Sequence, residues 1–233
     1  MPGGLRNQPK VFRGAFVEYG LTIPPLMVVF QFNPLQLSRS RKQEFAISAY
    51  AEGEEEGRGL TLRDFHQEFK DLLKLRDAQY VTTHPESLGF EIRLDATDKL
   101  NEGDRITEQL GIAPQLATLE LMAQPKSESV LGALVEQLLP GGFSFTCTDK
   151  PPMILFIWGR KRILPVNINS MTITETEFHT NLEPIRATVA VDLTVIEGPN
   201  PAYMYTKTLK EVMSGLGLAN LRAADIMDVD IPR

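Results

Sequence analysis

Residues Pro151 to Val195 constrain this chain more than any other stretch, because they hold three β-forming runs in succession with little between them. Met153–Trp158 is apolar and aromatic and ends at Trp158-Gly159. Gly159-Arg160-Lys161-Arg162 supplies a hairpin loop in which the glycine can take positive φ without a steric penalty. In the return strand Val166 and Ile168 share one parity while Met171 and Ile173 share the other, which predicts a β-bulge near Asn169-Ser170. A proline-led third run follows from Pro184, in which Ala187, Val189, Val191, Leu193 and Val195 alternate with polar Thr188, Asp192 and Thr194. Strict alternation of this kind describes a strand with one buried face.

The same period recurs upstream. Leu26, Val28, Phe30 and Phe32 share a face, and Asn33-Pro34 ends the ladder because proline has no N–H to donate. Leu88, Phe90, Ile92 and Leu94 form another one-sided set, and Lys10–Tyr19 reads as a less regular strand. Helical spacing interrupts the strands. Leu62, Phe65, Phe69, Leu72 and Leu73 predict one amphipathic helix with Thr61 as N-cap, inside an insertion at about residues 51 to 81. Ala113–Met122 predicts a short helix with Pro114 in its first turn. Val130–Leu139 carries another apolar stripe, stopped by Pro140-Gly141-Gly142. Asn200-Pro201 opens a final helix through Met213, ending near Gly215. The expected class is mainly β (α+β), since the regular strand–helix alternation of a doubly wound parallel sheet is missing. The expected division is a β domain over residues 1 to 200 and a C-terminal helix and arm over 201 to 233.

Composition narrows the function. A net charge of −6 gives no clustered basic surface of the kind that nucleic acid rewards, so no nucleic-acid partner is expected. No apolar run approaches the roughly 20 residues of a membrane span, and the N-terminus lacks a signal-peptide pattern. A cytoplasmic origin without membrane insertion is the expectation. The single cysteine, Cys147, alternates with Phe143 and Phe145 and reads as a core residue. His66, His84 and His179 are dispersed, and no phosphate loop, nucleophile elbow or metal-ligand spacing occurs. The glutamate run at Glu52 and Glu54–Glu56 reads as a solvated loop. No catalytic residue, cofactor or metal is therefore expected.

In their order along the chain, several landmarks resemble the contractile injection system tube-related family. They are Phe30-Gln31-Phe32-Asn33-Pro34 with Ser38-Arg39-Ser40, Phe90–Leu94 with Asp95-Ala96-Thr97-Asp98, and the helix around Leu116 and Leu119. Pro151-Pro152, Leu155–Gly159 and Phe178 leading to Asn181–Ala187 complete the set, covering roughly residues 10 to 198. Within that family the chain looks like the tube-initiator or baseplate adaptor proteins, which often carry a LysM domain; its glycine-aspartate-threonine-leucine signature does not follow Pro199 here. The resemblance implies a phage tail-tube-like, two-sheet β-barrel with a flanking helix. It also implies a homohexameric ring between tube protein and spike or hub, among other baseplate components of a tail-like particle. An inner tube subunit proper, or a cargo or ligand-carrying β-barrel, are the alternatives.

Candidate contact residues follow from charge and position. Arg39, Arg41 and Lys42, and Arg160, Lys161 and Arg162, sit beside strand ends as turn tips or subunit-contact charges. Arg186 opens a strand on its polar face and offers a bidentate guanidinium either to a neighbouring subunit or to its own. Tyr203 and Tyr205 are contact aromatics or packing for the last helix. Ile226, Met227 and Ile231 make the terminal segment apolar enough to anchor on a neighbour or on its own subunit.

Overall fold

The computed structural model describes residues 12–20, 26–47, 62–125 and 151–219. The predicted helix at Val130–Leu139, the environment of Cys147, the glutamate run, Thr61, and Ile226, Met227 and Ile231 lie outside those residues. Seven antiparallel strands form one sheet: β1 (Gly14–Glu18), β2 (Met27–Val29), β3 (Leu37–Ser40), β6 (Ser87–Asp95), β7 (Ile154–Trp158), β8 (Ile163–Phe178) and β9 (Pro184–Val195). Their order is β2-β1-β7-β8-β9-β6-β3. The long hairpin of β8 and β9 is the spine, and its register shifts between Ile168 and Ser170, at the expected bulge. The hairpin from β7 to β8 turns through Gly159 at φ 64°, with Trp158 N–H donating to the Arg162 carbonyl.

The sheet curls until its distant strands touch. Phe90 on β6 and Phe156 on β7 are separated in the ladder by β8 and β9, yet their ring centroids lie 5.1 Å apart. Phe16 and Phe30 join them, 5.2 Å from each other and 5.8 and 6.4 Å from Phe156. Offset and edge-on contacts at such distances add to the burial of four large rings, at about 0.5–1.5 kcal/mol per pair. Gly14 makes room for them: a Cβ there would meet the Phe30 ring at 2.6 Å. The alternating residues of β6 and β9 line the same core, with Ile92, Val189 and Leu193 fully enclosed.

Closure differs from the expected two-sheet barrel. No ladder joins β2 to β3 among the described residues, so the sheet is single and open. The chain itself spans the gap: Phe30 N–H still bonds the Gly14 carbonyl of β1, and Phe32 already bridges Arg93 of β6. All three residues of β2 pair along β1 before this crossing. Phe32, read as sharing the buried face of Phe30, is 46% exposed because the crossing turns it out.

Helices close the remaining openings. After α3 (Thr97–Asn101) and α4 (Arg105–Leu110), α5 (Ala113–Ala123) lays Leu116, Leu119 and Met122 on the core and has proline in its first turn, as expected. Beyond β3 and β6 the hairpin continues as a separate ribbon of β4 (Gln43–Ile47) and β5 (Gln79–Thr83), joined to the main pair by His84 N–H donating to the Lys42 carbonyl. Between β4 and β5 lie α1 (Leu62–Glu68) and α2 (Leu72–Ala78), where the apolar spacing predicts one helix. Asp71 breaks it by accepting the Leu73 N–H at 2.9 Å as a new N-cap, and Leu72 and Leu73 are left exposed. The last helix, α6 (Pro201–Ala219), continues past Gly215, further than its glycines predict.

Candidate subunit interface

Three surfaces concentrate the sequence-selected residues or uncovered apolar area. The first lies where β3 ends beside α6. β9 stops with Val195 opposite Val166, so Ile163 has no partner on that side of β8. The Thr206 hydroxyl replaces it, donating to the Ile163 carbonyl at 2.7 Å and accepting its N–H at 3.0 Å. Tyr203 packs on the core edge, and Tyr205 donates from its hydroxyl to the Arg160 carbonyl at 3.0 Å. The first half of α6 is thereby fixed to the sheet.

Beside it, Glu86 is buried at 3% exposure and collects three cations, two from the end of β3 and one from α6. Arg39 forms a salt bridge with it, Lys210 of α6 donates at 3.2 Å, and Arg41 lies 3.5 Å away while holding Glu197 at 2.6 Å. Burial pushes the Glu86 carboxyl up, and the hydrogen bonds and charges of Arg39 and Lys210 outweigh it, leaving the group below its ordinary value. Arg41 is held above its usual value, first by a side-chain hydrogen bond to Tyr203, against desolvation, and then by Glu197 and Glu86. Arg162 is pushed down by burial and by the like charge of Arg39, with Glu86 opposing.

The structure thus brings Arg39, Arg41, Arg162 and Tyr203 into one neighbourhood with Glu86, Lys207 and Lys210. It leaves Lys42 on Glu44 at 2.7 Å and Arg160 over the Phe12 ring at 5.0 Å. Lys161 is exposed at the loop tip. Arg186 lies at the other end of β6, donating to Asp95 at 2.9 Å and to Glu177 at 2.5 Å within its own chain. The sequence reading missed Glu86: a lone glutamate after Pro85 and before a strand carries no periodic signal, and its partners come from β3 and from α6.

The second surface is the outer face of β2, β1 and β7. Phe16, Val28 and Phe156 point inward, so alternation puts Met27, Val29, Ala15, Val17, Leu155 and Ile157 on the other side. Met27 and Val29 are 59% and 48% exposed. The third is the ribbon with its helices, where Phe45 faces Val81 across the strands and Tyr80, Leu72 and Leu73 are also exposed. A two-stranded ribbon is marginal in water without something packed on it.

A curled antiparallel sheet with exposed apolar residues on β2, an edge strand without a ladder partner among the described residues and a ribbon carrying two short helices is a framework suited to contacts between subunits. Comparison with protein families agrees: the family of contractile injection system tube proteins matches residues 22–200. The chain belongs to that family. No curated protein matches it significantly. Membership makes it a tube-type structural protein of a phage-tail-like particle, associated with other components of that particle. Among the described residues no helix is long and apolar enough to cross a membrane.

Proposed function

We propose that this chain is a ring-forming adaptor that joins the inner tube to the spike or hub of a contractile injection system and seeds tube growth. The observation that carries the reading is that the subunit exposes two dissimilar apolar surfaces, the Met27/Val29 face and the Phe45/Tyr80/Val81 ribbon. Pairing unlike surfaces head to tail gives each subunit both contacts, and such heterologous contacts close into a ring when the rotation allows. A homohexamer matching tube symmetry is the proposed product. α6 supports the adaptor role over that of a tube subunit proper, because it begins where the family match ends and is built into the sheet through Thr206. Residues 201–233 are proposed as the helix and arm that a specialised position requires.

The family's own description favours the second reading, an inner tube subunit. Electron microscopy of assembled particles carrying a labelled copy of this chain separates the two. Label at one end of the tube, next to the spike, is the expected outcome; label along its whole length makes the chain a tube subunit. A chain that never enters particles with tube and spike proteins ends both readings and returns attention to a cargo or carrier protein.

A further inference from the structure

Glu86 answers only part of the charge gathered around it. The cleft beside it, whose walls include Arg39, Arg41, Tyr203, Lys207 and Lys210, has a volume of about 390 Å³, within the range of about 300–1,000 Å³ that ligand sites span. Among the described residues Arg39, Arg41 and Lys210 pair with Glu86 or Glu197, while Lys207 and nearby Arg162 make no ion pair. The two arginines are themselves only partly engaged. Arg39 holds Glu86 through Nε and Nη2, and Arg41 holds Glu197 through Nη2. A guanidinium carries five N–H donors in a fixed fork, so each keeps donors for a further carboxylate. Both side chains open to solvent, at 36% and 39% exposure. The buried Glu86 also holds the cations in place, which lowers the ordering cost of binding an anion.

The strand that carries the arginines adds a direction. β3 pairs with β6 on one side, and its other edge has no ladder partner among the described residues. Leu37 stands opposite Phe90 and Arg39 opposite Leu88, so both lie on the core side of the sheet, and Arg41 continues their alternation. An extended backbone added along this edge sets alternate side chains beside Leu37, Arg39 and Arg41. We propose that the cleft docks an extended segment of another polypeptide along β3, with carboxylates at two alternate positions and an apolar residue two places further on. The carboxylates meet Arg39 and Arg41, with the lysines of α6 completing the cationic lining, and the apolar residue covers Leu37. Alternation is the recognition element. Adjacent carboxylates would put one of the pair on the opposite face, beside Ser38 and Ser40.

The test is fluorescence anisotropy of the labelled heptapeptide Val-Thr-Glu-Thr-Glu-Thr-Val, which presents the pattern in either chain direction, titrated with the full chain. Its isomer Val-Thr-Thr-Glu-Glu-Thr-Val has the same composition with the carboxylates on opposite faces. The first peptide should bind about tenfold more tightly, the effect of one charge-assisted contact. Lys207→Glu should weaken it about tenfold or more. Lys99→Glu, the same charge change on α3 beyond the other end of β6, should leave binding unchanged. Thermal midpoints equal to the parent's establish that both variants are folded. No binding of either peptide would overturn the proposal outright, and equal binding of the two isomers would overturn the alignment on β3. Equal effects of the two lysine variants would remove the cleft as the site. Displacement of the peptide by pyrophosphate at concentrations below the peptide's own Kd, at constant ionic strength, would make this a site for free anions instead of a polypeptide. The measurement is made on the free subunit, so its outcome is independent of whether rings form.

Discussion

The two halves of the curled sheet share one core but meet the outside differently. In β6 and β9 the outer residues are Glu91, Arg93, Thr188, Asp192 and Thr194, and they join neighbours on their own sheet: Ser170 donates to Asp192 at 3.0 Å and Asn169 to Thr194 at 2.7 Å. In β2, β1 and β7 the outer residues are Met27, Val29, Ala15, Val17, Leu155 and Ile157, which have no polar groups to offer water. A half with one polar face is finished as it stands. A half apolar on both faces reads like a strand set that expects cover on each side. Within the curled sheet that cover is missing at β2, where Met27 and Val29 are exposed, while Ala15 is buried and Val17, Leu155 and Ile157 are half-buried.

The largest expected effect tests whether the halves are one cooperative unit. Phe156 belongs to the apolar half but stacks on Phe90 of the polar half. Phe156→Ala should cost about 3–5 kcal/mol, the range for large buried aromatics. Denaturant unfolding followed by tryptophan fluorescence, which reports Trp158 beside Phe156, and by far-ultraviolet circular dichroism should shift together. Separate transitions would show that the two halves fold independently and that the comparison joins two units.

A smaller loss is expected at Glu86, which ties the polar half to α6. Glu86→Gln removes the charge that Arg39 and Lys210 share and leaves both cations near a neutral group. Those cations are each 36% exposed, so the cost should be about 2 kcal/mol, below the figure for a fully buried broken pair. The pH dependence has a definite sign. A carboxyl whose folded value is depressed contributes stability above its unfolded pKa, about 4.3, and loses it as pH falls through the folded value. Thermal midpoints should therefore fall on acidification below about pH 4.3 in the parent chain, and less steeply in the variant. Equal slopes would mean that folding does not lower the Glu86 pKa. Arg186→Met, by contrast, should move the midpoint less, because Arg186 is 43% exposed to solvent. A larger drop than for Glu86→Gln would place a second latch at that end of β6.

Much of the polar half was legible in the sequence, and the reason is physical. One buried face against one wet face writes a period of two, so β6, β9, the bulge at Ile168/Ser170 and the turn at Gly159 could all be read from side-chain order. Strands covered on both sides write no alternation. Gly14–Glu18 and Ile154–Trp158 could be read as strands, but the sequence did not say which side met the core. The open sheet was also hidden, since closure depends on where the chain crosses after Phe30, a long-range event with no local periodicity. Of the basic candidates at strand ends, Arg39 and Arg41 meet at Glu86, a hub without a signal in the sequence because its other partner, Lys210, lies more than a hundred residues away. The helix break at Asp71 was masked by leucines whose spacing continued across it and which proved to be exposed.

The smallest effect on the subunit itself should come from the outer faces, and there the comparison is at its sharpest. Val29 lies on the outer face of β2, opposite Ala15, and Ala190 lies on the outer face of β9, opposite Glu91; both are exposed. Lysine at either position replaces an exposed small residue, so each variant's folding stability should stay within roughly 0.5 kcal/mol of the parent. Assembly should separate them. Burying an unpaired ammonium in an apolar contact costs several kcal/mol, so Val29→Lys should abolish incorporation into particles, as read by sedimentation and microscopy. Ala190→Lys adds a charge to a face already wet and polar, and should assemble like the parent. If both variants assemble, the apolar flank is not a subunit contact. If Ala190→Lys alone fails, the finished face is the one that meets its neighbours, and the two halves have exchanged roles.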